Sequence, residues 1–147
     1  MTILYNMLFS FVAAASFGIM FNVPKNLLVK CGTVGMAGWM VYFFLSENAV
    51  DSLPSTVAAA FTVAVIGHLY ARMYKTPVII FTVAGIIPLV PGGTAYRAMR
   101  AFVQNDYGSA VSLAAKAFMI SGSIALGLVL SDVFYQVILR KKVPAGK

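Results

Sequence analysis

"IIPLVPGGTAYRAMR", residues 86–100, opens as an apolar run, breaks at two prolines and two glycines, and resumes with two arginines. Pro88 and Pro91 each remove a backbone donor and clash with the preceding helical turn, while Gly92 and Gly93 admit backbone angles closed to other residues. In water such a stretch simply ends a helix. Within hydrocarbon it says more, because a helix can break there only where protein or a water-filled cavity satisfies the freed backbone groups.

Composition decides which solvent applies. The 147 residues are 61% hydrophobic and only 10% charged, and the mean hydropathy is +0.89, well outside the range of soluble domains. At about 20 apolar residues per crossing, the chain has room for roughly five spans with short connections. Residues 1–147 therefore read as a single all-α transmembrane domain with lipid as its surroundings. The expected spans are Ile3–Phe21, Leu27–Leu45, Ser55–Tyr70, the broken fourth segment Pro77–Val90 with its continuation Thr94–Gln104, and Ser112–Leu139. Pro24, flanked by Asn22 and Asn26, ends the first segment, and Pro54 suits the first turn of the third. Met1 to Tyr5 hold no basic leader, so the first segment reads as a retained span. Gly32, Gly35 and Gly38 drift slowly around one face of the second and let a neighbouring helix approach.

The net charge of +7 is not a nucleic-acid signature, since the eleven Lys and Arg are scattered between apolar runs rather than gathered on one face. Their positions speak to topology. Lys25 and Lys30, then Glu47 and Asp51, then Arg72 and Lys75, and finally Arg140, Lys141, Lys142 and Lys147 alternate by connection, which fits an N-out, C-in chain. Arg97 and Arg100 fall on the wrong side of that count unless they sit inside the protein rather than in a loop.

The break explains them. Thr94 is placed to cap a new helix, whose first amides, Ala95 to Arg97, would face back into the gap at the positive end of the helix dipole. Arg97 adds a forked donor suited to a carboxylate, and Tyr96 a hydroxyl and an aromatic face. Broken helices of this kind hold carboxylate substrates in secondary transporters, so Pro91, Gly92, Gly93, Thr94, Tyr96 and Arg97 form the candidate substrate site. The competing reading ends the fourth segment at Val90 and lets the arginines of an interfacial helix snorkel to headgroups.

Two further polar residues fall within apolar runs. Asp132 is a carboxylate inside the last segment and a candidate for proton coupling, with a pairing to Arg140 or to a lysine of another helix as the alternative. His68, the single histidine, is the other candidate, a backbone hydrogen bond being the plainer use. Asp106 and Lys116 read as facing water or headgroups, Trp39 as packing or anchoring, and the lone Cys31 excludes an internal disulfide. No nucleophile elbow, phosphate loop, metal-ligand spacing or cofactor motif is found, which argues against an enzyme and for a protein needing no metal or cofactor.

"FNVPKNLL" at the end of the first segment, followed by "GIIPLVPGGTAYRAM", resembles the small, C-terminal-half subunit of split members of the threonine/serine exporter family, whose relatives include two-component succinate exporters. The resemblance rests on Pro88, Pro91, Gly92 and Tyr96, with Asn22 and Pro24 in the shorter motif. It implies a larger five-span partner with a similar break, an inverted-repeat transporter of which this chain is one half, and a small carboxylate-bearing substrate: threonine, serine or a dicarboxylate such as succinate. The N-out, C-in orientation that charge predicts is the one an inverted second half requires. A structural subunit that packs against a transporting partner and binds no substrate is the alternative.

Overall fold

The computed structural model describes residues 2–48 and 51–139, and every described element is helical. In order they are α1 (Thr2–Met20), α2 (Lys25–Glu47), α3 (Ser52–Tyr74), α4 (Ile79–Ile86), a 3₁₀ turn (Ile87–Leu89), α5 (Gly92–Val103) and α6 (Tyr107–Leu139). Helices α1, α2, α3 and α6 are each long and apolar enough to cross a membrane, and Ile79–Leu89 with Gly92–Val103, a pair bent by 53°, makes a fifth if the two are one span. The protein is thus a multi-pass membrane protein, with the break where the two prolines put it.

Observed boundaries differ from the expected ones mainly at helix starts. α3 begins at Ser52, so Pro54 occupies its first turn, where the missing N–H has no intrahelical partner to lose. α6 begins at Tyr107 because Asp106 caps it: its Oδ1 accepts from the Ser109 N–H at 3.2 Å and its carbonyl from Ala110 N–H at 3.0 Å. The Ser109 hydroxyl and amide together hold the Asp106 carboxyl below the usual carboxylate range. Asn22, Lys75 and Asn105 turn the chain with positive φ after α1, α3 and α5.

Small residues set the helix spacing. A side chain on Gly32 would meet the ring of Phe11, and one on Gly35 would meet Ala14, so both let α1 close on α2. Gly38 faces Val63 of α3 instead, and Gly85 of α4 faces Val34 and Val63. The glycines of α2 therefore serve two neighbours rather than one. α6 packs on α3 through Gly127, where a Cβ would lie 2.6 Å from the Val57 carbonyl oxygen and 3.0 Å from the Phe61 nitrogen. Without much of a hydrophobic driving force between helices in lipid, such close approach is what dispersion needs. Cys31, Val34, Ala59, Ala60, Val63, Phe81 and Ala84 fill the centre, while α1 and α6 leave long apolar faces outward.

Gly127 beside Val57 and Asp132 beside His68 make α6 run in the same direction as α3. Chain direction then places Lys25, Arg72 and Lys75 at one end of the bundle, and Glu47, Asp51 and Asp106 at the other. Lys30 Nζ lies 6.0 and 5.9 Å from the Tyr70 and Tyr74 rings, joining the start of α2 to the end of α3. Arg140, Lys141, Lys142 and Lys147 lie outside the described residues.

Candidate functional site at the helix break

At the break the helical ladder fails in three steps. The Val90 N–H reaches back only to Ile87 O (3.2 Å), closing the 3₁₀ turn; Val90 itself is extended; and the Gly92 N–H turns onto Val90 O at 2.8 Å. α5 then starts at Gly92 with Pro91, not Thr94, at the cap, and the Ala95 N–H already donates to Pro91 O at 3.0 Å. The amides left without an intrahelical acceptor are those of Gly93 and Thr94, one turn earlier than the expected Ala95 to Arg97. The shift follows from Pro91, whose fixed φ suits a cap and whose carbonyl serves as the first acceptor. Gly92 and Gly93 both have negative φ, so they are not there for unusual backbone angles; instead a Cβ on either would meet nothing within 4 Å.

A cavity of about 220 Å³ opens at this point. Pro88, Pro91, Gly93, Thr94 and Arg97 line it from the break, and Trp39, Tyr42, Thr56 and Ile120 from α2, α3 and α6. The indole and phenol of Trp39 and Tyr42 stack at 5.3 Å between centroids. Positive charge, two free amides, a threonine hydroxyl and an aromatic wall converge there, a set matched to a small carboxylate. Among the lining residues Arg97 carries the one formal charge.

Two expected members face elsewhere. Tyr96 is 68% exposed and points away from the cavity, and Gly92 belongs to an apolar groove of about 420 Å³ between α5 and α6, with Ala95, Met99 and Phe118. Conversely, Trp39, Tyr42 and Thr56 were not expected in the site. The spacing of Trp39 and Tyr42, one helical turn apart, was the available signal, but one turn of aromatics equally fits packing. Arg97 and Arg100 sit on helix α5 rather than in a loop, and both are exposed on the single chain.

The second candidate pair is brought together. His68 Nε2 lies 3.2 Å from Asp132 Oδ1, and His68 Nδ1 lies 2.8 Å from Ala64 O. Asp132 thus pairs with a histidine on α3, and the expected alternative partner Arg140 is outside the described residues. The Tyr135 ring covers the imidazole at 4.4 Å, and a cavity of about 240 Å³ beside the pair is lined by Thr82, Val78 and Ile79 of the α3–α4 turn and α4, and by Leu128 of α6. Asn22 and Pro24 lie in the exposed turn from α1 to α2 and line neither cavity.

The family model described as "Threonine/Serine exporter, ThrE" matches residues 6–134. The chain belongs to the threonine/serine exporter family. Membership in an exporter family agrees with its spanning helices. An uncharacterized protein of Haemophilus influenzae is 34% identical over 142 residues, a match covering 93% of this chain and 46% of the relative. The chain therefore spans about half the length of that relative. No solved structure matches.

Proposed function

We propose that the chain is the small, C-terminal-half subunit of a two-component secondary exporter in the bacterial cytoplasmic membrane. It carries a small carboxylate-bearing metabolite, threonine, serine or a dicarboxylate such as succinate, and binds the carboxylate in the cavity at the break. The observation that carries this reading is that Arg97, Thr94 and the amides of Gly93 and Thr94, which have no intrahelical acceptor, border one cavity at the bent helix pair. An anion there gains both from the amides and dipole of α5 and from a charge-assisted bond to the guanidinium.

A larger five-span unit completes the transporter. The arginines of α5 are open on this chain alone, and a guanidinium facing hydrocarbon is costly enough to call for protein or water against it. The relative's additional length, about as much again as the matched part, has room for a second such unit. With five spans, the second half of an inverted-repeat pair faces the opposite way from the first, and the gathering of Lys25, Arg72 and Lys75 at one end supports N-out, C-in for this half. Tyr96, exposed here, would then meet the partner.

The test is uptake of radiolabelled threonine, serine and succinate by everted vesicles carrying this chain, its partner, both or neither. Substrate-specific uptake requiring both chains is expected, with Arg97→Gln raising the half-saturating concentration while assembly persists. If Arg97→Gln and Gly93→Val leave uptake unchanged in assembled complexes, the chain is a scaffold and the cavity is not the substrate site.

A further inference from the structure

We propose that His68 and Asp132 form one proton-binding unit, the site through which an ion gradient drives the exporter; the coupling role rests on the transport function proposed above. The geometry fixes how many protons the pair holds. A carbonyl oxygen only accepts, so Nδ1, 2.8 Å from Ala64 O, carries a hydrogen. Nε2 and Oδ1, 3.2 Å apart, need one further proton between them to attract rather than oppose their lone pairs. That proton sits either on Nε2, as imidazolium and carboxylate, or on Oδ1, as imidazole and carboxylic acid. Both forms are net neutral, and losing the proton leaves the pair at −1.

The two residues divide the work. His68, with its side chain 10% exposed and its ring under Tyr135, is held in place; Asp132, 57% exposed on the single chain, is the open member, through which the pair exchanges its proton. A proton taken from water at Oδ1 is shared with Nε2, and its return to water restores carboxylate and neutral imidazole. Among the described residues the groups that face the pair are otherwise uncharged: Thr82 on α4, whose hydroxyl donates to Val78 O at 3.2 Å, Ala64 on α3, and Leu128 and Tyr135 on α6. Arg72, one turn beyond His68, is exposed.

Placement links the pair to the break. Thr56 and Ile120 line the substrate cavity, and His68 and Asp132 lie twelve residues further along the same two helices, about 18 Å away. α4 lines the proton cavity with Thr82 and leads directly into the 3₁₀ turn whose Pro88 and Leu89 line the other. One short helix thus borders both sites, and a change of charge at one end bears on the packing of the element that shapes the other.

The experiment separates coupling from transport. In everted vesicles carrying the complete exporter, uptake driven by an imposed pH gradient is compared with exchange of labelled for unlabelled substrate at zero gradient. For Asp132→Asn and His68→Gln, gradient-driven accumulation is expected to fall at least tenfold while exchange stays within about twofold, with Asp132→Glu restoring part of the accumulation. Retained accumulation, or exchange lost in parallel with it, overturns the coupling role. Vesicles in which the unsubstituted protein moves none of the three substrates overturn the transport reading itself. The pairing has its own readout, because His68 is the single histidine: ¹⁵N-histidine spectra of the purified chain in nanodiscs should show a protonated Nδ1 at every pH, and an Nε2 signal that changes in Asp132→Asn. An Nε2 signal identical in the two proteins refutes the shared proton whatever the vesicles do.

Discussion

Replacing Gly127 by alanine tests the packing that brings His68 and Asp132 together. The new Cβ would stand 2.6 Å from the Val57 oxygen, 2.7 Å from the Ala60 Cβ and 3.0 Å from the Phe61 nitrogen. Two of these three are backbone atoms of α3, which no rotamer change can move aside. Restoring an ordinary carbon–oxygen separation of about 3.3 Å requires α3 and α6 to part by roughly 0.7 Å. Overpacking of this kind costs about 2 kcal/mol, equivalent to a fall of about 4–8 °C in unfolding midpoint for a chain of this size. Asp132 lies five residues further along α6, so the same separation carries its 3.2 Å contact with His68 to about 3.9 Å, beyond hydrogen-bond reach. Gly122→Ala on the same helix is the matched control, since a Cβ there meets nothing within 4 Å. Both substitutions gain the same helix propensity, so their difference isolates the contact. Cys31, wholly buried and the single thiol, supplies the assay: its rate of alkylation by a fluorogenic maleimide during heating reports unfolding directly. Equal midpoints for the two variants, or a Gly127→Ala protein whose Nε2 signal matches the unsubstituted one, would show that α3 and α6 are not in the contact described.

Three further outcomes are expected. Arg97→Gln should weaken substrate affinity roughly tenfold, the lower end of what a charge-assisted bond contributes, because Arg97 is partly open to solvent; Arg100→Gln, which does not line the cavity, should change it little in the same vesicle titration. Gly93→Ala should fold and assemble normally, having open space and helical φ, so any loss of uptake reads on the cavity that Gly93 lines. The depressed titration of Asp106 makes the cap of α6 pH-dependent: its contribution is present above the unfolded carboxyl value of about 3.9 and is lost as pH falls through the lower folded value. Hydrogen exchange should therefore show the Ser109 amide losing protection in acid, and Asp106→Ala should remove that protection at every pH, while the Ala110 amide keeps its backbone acceptor, the carbonyl of Asp106.

Sequence alone carried the architecture a long way, for reasons that differ along the chain. Five apolar runs and the turn at Pro24 were legible because hydropathy and proline stereochemistry act locally, and bilayer thickness fixes the length of a crossing, although the third run was ended at Tyr70 where α3 continues to Tyr74. The start of α5 was misplaced because Thr94 is a good capping residue in general, whereas Pro91 already supplies the first acceptor here. α6 was begun too late because its first turns, with Ser109 and Ser112, are polar, and the Asp106 cap was read as a surface charge.

Which residues meet is another matter. Asp132 and His68 were each legible as unusual groups in apolar segments, yet nothing local says that they share a proton. That follows from α6 running along α3 at the distance Gly127 permits, in the one register that sets both residues on the shared face. Likewise Arg97 announced itself by its charge, while Trp39, Tyr42 and Thr56 looked like ordinary packing until α2 and α3 were seen to close around the break. Sequence by itself determined the apolar segments, the place of the break and the residues too polar for lipid, because each depends on a few neighbouring residues and the solvent. Tertiary structure alone decided the two cavities and their linings, because helix register and crossing are set by close contacts between residues far apart in the chain.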